Sequence, residues 1–83
     1  MKVLYFAWFR DRIGCAEEDV TLPEGDPSVR DLIALLSKRG EGYEAAFEDL
    51  DVVHAALDME EVPLETKLGT ATEVAFYPPF TGG

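Results

Sequence analysis

A chain of 83 residues with 47% hydrophobic content has material for one compact core and none for a second. With 17 acidic residues against 7 basic ones its formal charge is −10, which repels phosphate backbones and excludes nucleic acid as an expected partner. The lone cysteine, Cys15, rules out an internal disulfide, and with a single histidine, His54, the usual Cys/His zinc sites cannot be assembled, so no metal is expected.

A reducing, cytoplasmic setting fits this cysteine usage. No apolar run is long enough to span a bilayer, and the first run, ending at Arg10, is too short for a secretory leader, so neither a membrane segment nor a leader is expected. The acidity itself has two readings: attraction to basic protein partners, or solubility of a small domain.

In chain order, Lys2 to Phe9 is rich in β-branched and aromatic residues and predicts a strand. Asp11 to Gly14 then reads as a turn, and Glu17 to Leu22 as a second strand with Val20 and Leu22 on one side, closing a hairpin before Pro23 and Gly25. Ser28 is a good N-cap with Asp31 three residues on, and Val29, Leu32, Ile33 and Leu36 follow helical spacing. Lys38, Arg39 and Gly40 end that helix. Tyr43, Ala46, Phe47 and Leu50 fit either a short second helix or a packed loop. Val52 to Leu57 predicts a third strand, Glu61-Val62-Pro63 a fragment of edge strand, and Glu73 to Tyr77 the last strand, halted by Pro78-Pro79. Leu64 and Leu68 are expected to fill gaps. The order predicts an α+β domain over residues 1–78, a mixed sheet with one main helix across one face, and a flexible tail over 79–83.

The tail is Phe80-Thr81-Gly82-Gly83. A terminal Gly-Gly arises by chance at about half a percent, given average glycine usage of about 7%, so the pair alone is weak. Its context strengthens it. The glycines follow a rigid Pro-Pro, and from Pro78 the chain can reach about 20 Å when extended. Without Cβ atoms such an end threads a narrow channel. No side chain after Glu73 is charged, so the Gly83 carboxylate would be the sole formal charge there, drawn to a cationic pocket.

A carboxylate is a poor electrophile and needs activation before acyl transfer. The chain has no Gly-x-x-x-x-Gly-Lys phosphate loop and three lysines, Lys2, Lys38 and Lys67, so it is not expected to bind ATP, and a separate adenylating enzyme is implied. Other candidates are weaker. Glu17 and Glu18 near Cys15 would raise its thiol pKa, and His54, in an apolar strand with no partner adjacent in sequence, reads as structural.

These residues resemble the molybdopterin synthase small-subunit family, β-grasp proteins related in fold to ubiquitin. The similarity covers the whole chain. Its specific parts are Lys2-Val3-Leu4-Tyr5-Phe6-Ala7 with Arg10 and Gly14, and Glu73-Val74-Ala75-Phe76-Tyr77-Pro78-Pro79 with Thr81-Gly82-Gly83. The resemblance implies a β-grasp fold and a sulfur carrier of molybdenum cofactor biosynthesis, part of a heteromeric sulfurtransferase and not catalytic alone. An E1-like enzyme would adenylate Gly83 using ATP, and a sulfur donor would convert the adenylate to a thiocarboxylate. Gly83 would then give sulfur to a cyclic pterin phosphate held by the large subunit, in a heterotetramer of two small and two large subunits, with Phe80, Thr81 and Gly82 threading into the partner's site. No cofactor is expected on this chain. Two departures stand out: Thr70-Ala71-Thr72 replaces an Asp-Gly turn usual in the family, and Asp58-Met59 replaces an Asn-Gln pair.

A thiamine-pathway carrier shares the fold and the Gly-Gly end but lacks the Phe-Tyr-Pro-Pro-like segment. A ubiquitin-like modifier would join the same carboxylate to protein lysines, and a plain interaction module would not use it. Strand alternation also places Lys2, Leu4, Phe6 and Trp8 on one face, with Glu73, Ala75 and Tyr77 on the last strand. If first and last strands are neighbours, as the resemblance implies, Phe6, Trp8 and Tyr77 form an exposed partner-binding patch with Arg10 at its rim. Val3, Tyr5, Val74 and Phe76 would then face the helix.

Overall fold

The computed structural model describes residues 1–79. In order these form strand β1 (Lys2–Tyr5), helix α1 (Trp8–Ile13), strand β2 (Glu17–Asp19), helix α2 (Val29–Ser37), helix α3 (Glu41–Ala46), a 3₁₀ turn (Leu50–Val52), and strands β3 (His54–Leu57), β4 (Glu60–Val62) and β5 (Glu73–Tyr77). The five strands make one sheet in the order β2-β1-β5-β3-β4. The β1 and β5 strands run parallel, from Lys2 opposite Glu73 to Tyr5 opposite Phe76, while the other pairings are antiparallel. This is the mixed α+β sheet expected of a β-grasp.

The first predicted strand is overextended. Ala7 turns the chain with φ 52° and ψ −127°, and Trp8 to Ile13 is helix, not the end of a strand and a turn. Gly14, at φ 95°, closes that helix with its amide donating to the Arg10 carbonyl, a left-handed C-terminal position that glycine takes without steric cost. What favours the helix is tertiary: it inserts Phe9, fully buried, with its ring 5.4 Å from that of Phe47 and 6.4 Å from that of Phe76. The α3 helix lies so close beneath that a Cβ on Gly42 would collide with the Arg12 carbonyl oxygen.

The α2 helix forms as its sequence dictates. The Ser28 hydroxyl accepts from the Asp31 amide at 3.1 Å and the Asp31 carboxylate accepts from the Ser28 amide at 2.9 Å, a reciprocal cap. Those bonds hold the Asp31 carboxyl below its usual range, the Ser28 amide contributing most. Val29, Leu32, Ile33 and Leu36 bury one stripe of the helix against Val3, Tyr5, Val74 and Phe76 on the inner sheet face, all of them in one core. The segment left open between helix and loop is helical, as α3. The third strand starts at His54, two residues later than expected, because Leu50 to Val52 coils into a 3₁₀ turn whose start is held by the Asp49 carboxylate accepting from the Asp51 amide. Leu68 is buried as a core plug, and Leu64 packs against the core from a half-buried position.

One half-buried carboxylate ties the helices to the sheet. Glu18 Oε2 accepts from the Tyr5 hydroxyl at 2.7 Å and the Tyr43 hydroxyl at 2.8 Å, and its Oε1 accepts from Arg39 at 3.2 Å. Neighbouring Cys15 has its thiol pushed up, first by burial and then by the Glu18 charge, with Arg39 opposing. That agrees with the expected direction, though Glu18 and not Glu17 is the carboxylate that acts.

Removing a large core side chain leaves a cavity that a domain this small cannot refill. Leu32→Ala and Phe76→Ala should each lower unfolding free energy by about 2–5 kcal/mol, read from denaturant melts, and a variant melting like the parent would show that its side chain is not inside. Burial, the hydrogen bond to Glu18 and that carboxylate's charge push Tyr43 up to about 12, and Tyr5 rises in the same direction. A phenol whose folded pKa is raised contributes stability that is complete below its unfolded value of about 10 and is lost as pH climbs through the folded value. Tyr43→Phe should therefore flatten the alkaline loss of stability between about pH 10 and about pH 12. Urea melts across that window check it.

Candidate functional site

The strand that carries the C-terminal segment occupies the middle of the sheet. With β1 on one side and β3 on the other, β5 is hydrogen-bonded along both edges, so Pro78 and Pro79 leave from its most firmly held position. The expected functional residues Phe80, Thr81, Gly82 and Gly83 lie outside the described residues.

Around the root of that segment, Phe6 and Tyr77 share one end of the sheet. The Phe6 amide donates to the Phe76 carbonyl at 3.1 Å, and its ring is 48% exposed, one of two large hydrophobic side chains so open among the described residues. Partners across a ladder point to the same face. Leu4 opposite Ala75, Ala75 opposite Ala56 and Tyr77 opposite His54 therefore line up on the face away from the helices. The Lys2–Glu17 ion pair, 3.2 Å, borders it.

The chain reversal at Ala7 corrects the expected patch. Trp8 and Arg10 lie on α1, not on the outer face of β1, so the strand stripe stops at Phe6. Trp8 is half-buried, its ring 5.6 Å from that of Phe9 and 5.6 Å from the Arg12 guanidinium carbon. Arg10 is exposed on the same helix. The structure thus brings Phe6 and Tyr77 together and sets Trp8 and Arg10 on a separate element.

A polar cluster that sequence reading did not assemble sits beside Tyr77. The Tyr77 hydroxyl donates to Glu61 Oε1 at 2.6 Å, His54 Nδ1 is 3.5 Å from Glu61 Oε2, and the His54 and Tyr77 rings are 5.8 Å apart. The Tyr77 hydroxyl hydrogen bond, then His54, holds the Glu61 carboxyl below its usual range. Burial and the bond to Glu61 push Tyr77 up to about 12. The two departures from family pattern also meet. Asp58 and Met59, at φ 48° and 73°, form the β3–β4 turn, and Asp58 Oδ1 accepts from the Thr72 amide, the Thr72 hydroxyl and the Glu73 amide, each at 3.1 Å. A carboxylate from one turn thus organises the segment that leads into β5.

Among the described residues no group of three or more His, Cys, Asp or Glu side chains could hold a metal, and no helix is long and apolar enough to cross a membrane.

The ThiS family profile matches residues 3–83. The chain is 34% identical over 84 residues to the molybdopterin synthase sulfur carrier subunit of Escherichia coli (strain K12), covering 100% of this chain and 99% of that protein. It is 29% identical over 83 residues to the subunit of the same name from Haemophilus influenzae, with 100% and 99% covered. Among solved structures, a putative molybdopterin converting factor, subunit 1, from Pyrococcus furiosus superposes with TM-score 0.76 at 37% identity over 95% of each chain. SAMP1 from Haloferax volcanii, 24% identical over 100% of this chain and 98% of its own, superposes with TM-score 0.73 and shares the fold. With its ubiquitin-like β-grasp sheet and a match that runs from the first strand through the final glycine, the chain belongs to the ThiS family.

Proposed function

We propose that this protein is the sulfur carrier subunit of a molybdopterin synthase and that its working group is the Gly83 carboxylate. The observation that carries the reading is the end-to-end similarity to two sulfur carrier subunits of that enzyme, joined to the central β5 strand that leads into Pro78-Pro79 and to the Gly82-Gly83 pair that follows in the sequence. That likeness, and the Phe76-Tyr77-Pro78-Pro79 segment, favour it over a carrier for thiamine.

In this reading a cytoplasmic E1-like enzyme directs the Gly83 carboxylate onto the α-phosphate of ATP, releasing pyrophosphate. A sulfur donor then displaces AMP from the acyl adenylate and leaves a thiocarboxylate. The thiocarboxylate sulfur attacks a carbon of a cyclic pterin phosphate held by the large subunit as a carbon–oxygen bond of the pterin breaks. Water then cleaves the resulting thioester to free the Gly83 carboxylate and leave sulfur on the pterin, and two such transfers complete the dithiolene. This chain supplies the carrier end and the docking face, and ATP and pterin are bound by its partners. A glycine at 82 leaves the last peptide slim enough to enter an activating site. Docking would use the outer face near Phe6 and Tyr77, where apolar surface lies open beside the root of the tail.

Deleting Gly83, or appending one residue after it, should abolish sulfur transfer in a reconstituted synthase assay and leave the melting temperature nearly unchanged. Full activity in the extended variant sinks the proposal. Intact mass of the chain purified from its own host supplies a direct check, since a thiocarboxylate carries sulfur in place of one oxygen. Phe6→Asp and Tyr77→Asp should each weaken binding to the activating enzyme and to the large subunit by more than about 1 kcal/mol while the domain stays folded. Calorimetric titration of a folded double variant that binds as the parent does would remove the outer face from the docking surface.

A further inference from the structure

We propose that the groove between the start of β3 and the end of β4 docks a basic side chain carried on an extended segment of a protein partner. The groove follows from where the ladder stops. Pairing of β3 with β4 runs from Leu57 opposite Glu60 to Ala55 opposite Val62, and the residue after β4 is Pro63, which has no amide to donate. Beyond it the chain leaves the sheet for the first turn of α2, where the Leu64 carbonyl accepts from the Arg30 amide at 2.8 Å and the Thr66 carbonyl from the Val29 amide at 2.9 Å. The 3₁₀ turn leads into β3 on the other side. A cavity of about 330 Å³ opens between the diverging segments, walled by Leu50, Val53, Val62 and Leu64, with Asp51, His54 and Glu61 also among its lining residues.

Apolar walls with two acidic residues in the lining suit the long aliphatic stem and charged head of lysine or arginine. Charge complementarity selects that occupant. Between Arg39 and Lys67 the sequence holds no lysine or arginine at all, so neither carboxylate has a permanently charged partner within its own segment. Among the described residues Asp51 has no ion-pair partner, and that of Glu61 is His54 at 3.5 Å, a cation only when protonated. The Tyr77 hydroxyl holds Glu61 by Oε1 at 2.6 Å, which orients the carboxylate without cancelling its charge. Glu65, by contrast, already pairs with Arg30 at 2.7 Å. The assignment stands on the groove and its charge and does not require the tail chemistry.

The test is a titration of ¹⁵N-labelled protein with the capped peptide Leu-Arg-Leu and with its citrulline analogue, which keeps the shape of arginine and removes its charge. The expected result is saturable shifts centred on the amides of residues 50–54, 61, 62 and 64 with the arginine peptide, absent with citrulline and suppressed by salt. Asp51→Asn combined with Glu61→Gln should weaken binding about fivefold or more. Glu41→Gln with Glu44→Gln, which removes the same charge elsewhere, should leave it unchanged. The proposal is overturned by arginine shifts spread evenly over the acidic surface, by equal binding of citrulline, by unmoved groove amides, or by equal weakening in both double variants. Should the first double variant fail to fold, the comparison of arginine with citrulline on the parent decides alone.

Discussion

The parallel contact between β1 and β5 joins the two ends of the chain, and the rest of the structure is arranged around it. Val3 and Tyr5 on β1 and Val74 and Phe76 on β5 present a continuous inner face, each 1% exposed or less. Because β3 and β4 attach through β5, and β2 through β1, loss of this one ladder would split the sheet in two. Phe76 extends the constraint into the core: its ring lies 6.4 Å from Tyr5, 6.4 Å from Phe9 and 5.0 Å from Phe47. A segment leaving from β5 is therefore rooted where tension on it is shared by the whole sheet. That is a sound mechanical arrangement for a domain whose proposed chemistry takes place beyond the sheet, inside another protein.

Two features give the inner face its helical cover. Chain reversal at Ala7 turns α1 back over the core so that Phe9 can join the aromatic cluster, and Gly42 lets α3 approach the end of α1 closely. The Glu18 carboxylate then joins β2 to Tyr5, to Tyr43 of α3 and to Arg39 beyond α2. Cys15 falls inside this structural neighbourhood. Its raised thiol pKa makes thiolate scarce at neutral pH, which separates it from the nucleophilic cysteines of sulfur chemistry. The proposed function accordingly uses the chain end and not Cys15.

On the outer face, small and apolar residues at Leu4, Ala56 and Ala75 give way toward the tail root to Phe6, Tyr77, His54 and Glu61. The face thus combines area that is cheap to desolvate with a carboxylate held in place by a neighbouring hydroxyl. The acidic excess is concentrated along the segment between Arg39 and Lys67, so a partner could be oriented by it as well as attracted. The Asp58 contacts to Thr72 and Glu73 brace the opposite end of the β3–β5 ladder and replace with a side chain what a tight Asp-Gly turn would do with backbone alone.

Much of the architecture was legible in the residues. Alternation in Val3, Tyr5, Val74 and Phe76 assigned the inner face, the Ser28–Asp31 spacing began α2, and Pro78-Pro79 closed the last strand, because each depends on local periodicity or on the covalent limits of proline. The Gly-Gly end and its Pro-Pro spacer were likewise visible, and with the family resemblance they pointed to carboxylate chemistry. What the residues alone could not decide depended on contacts distant in sequence. Lys2 to Phe9 carries strand-like residues throughout, and only the burial of Phe9 against Phe47 and Phe76 makes the chain turn at Ala7 and coil. That reversal moved Trp8 and Arg10 off the expected face. His54, Glu61 and Tyr77 come together because β5 and β4 flank β3, a strand order that periodicity does not encode. The groove beside them exists only because Pro63 ends the ladder while the α2 start draws the chain away. Periodicity says which side of its own element a residue occupies, whereas neighbours across elements are set by packing of the whole core.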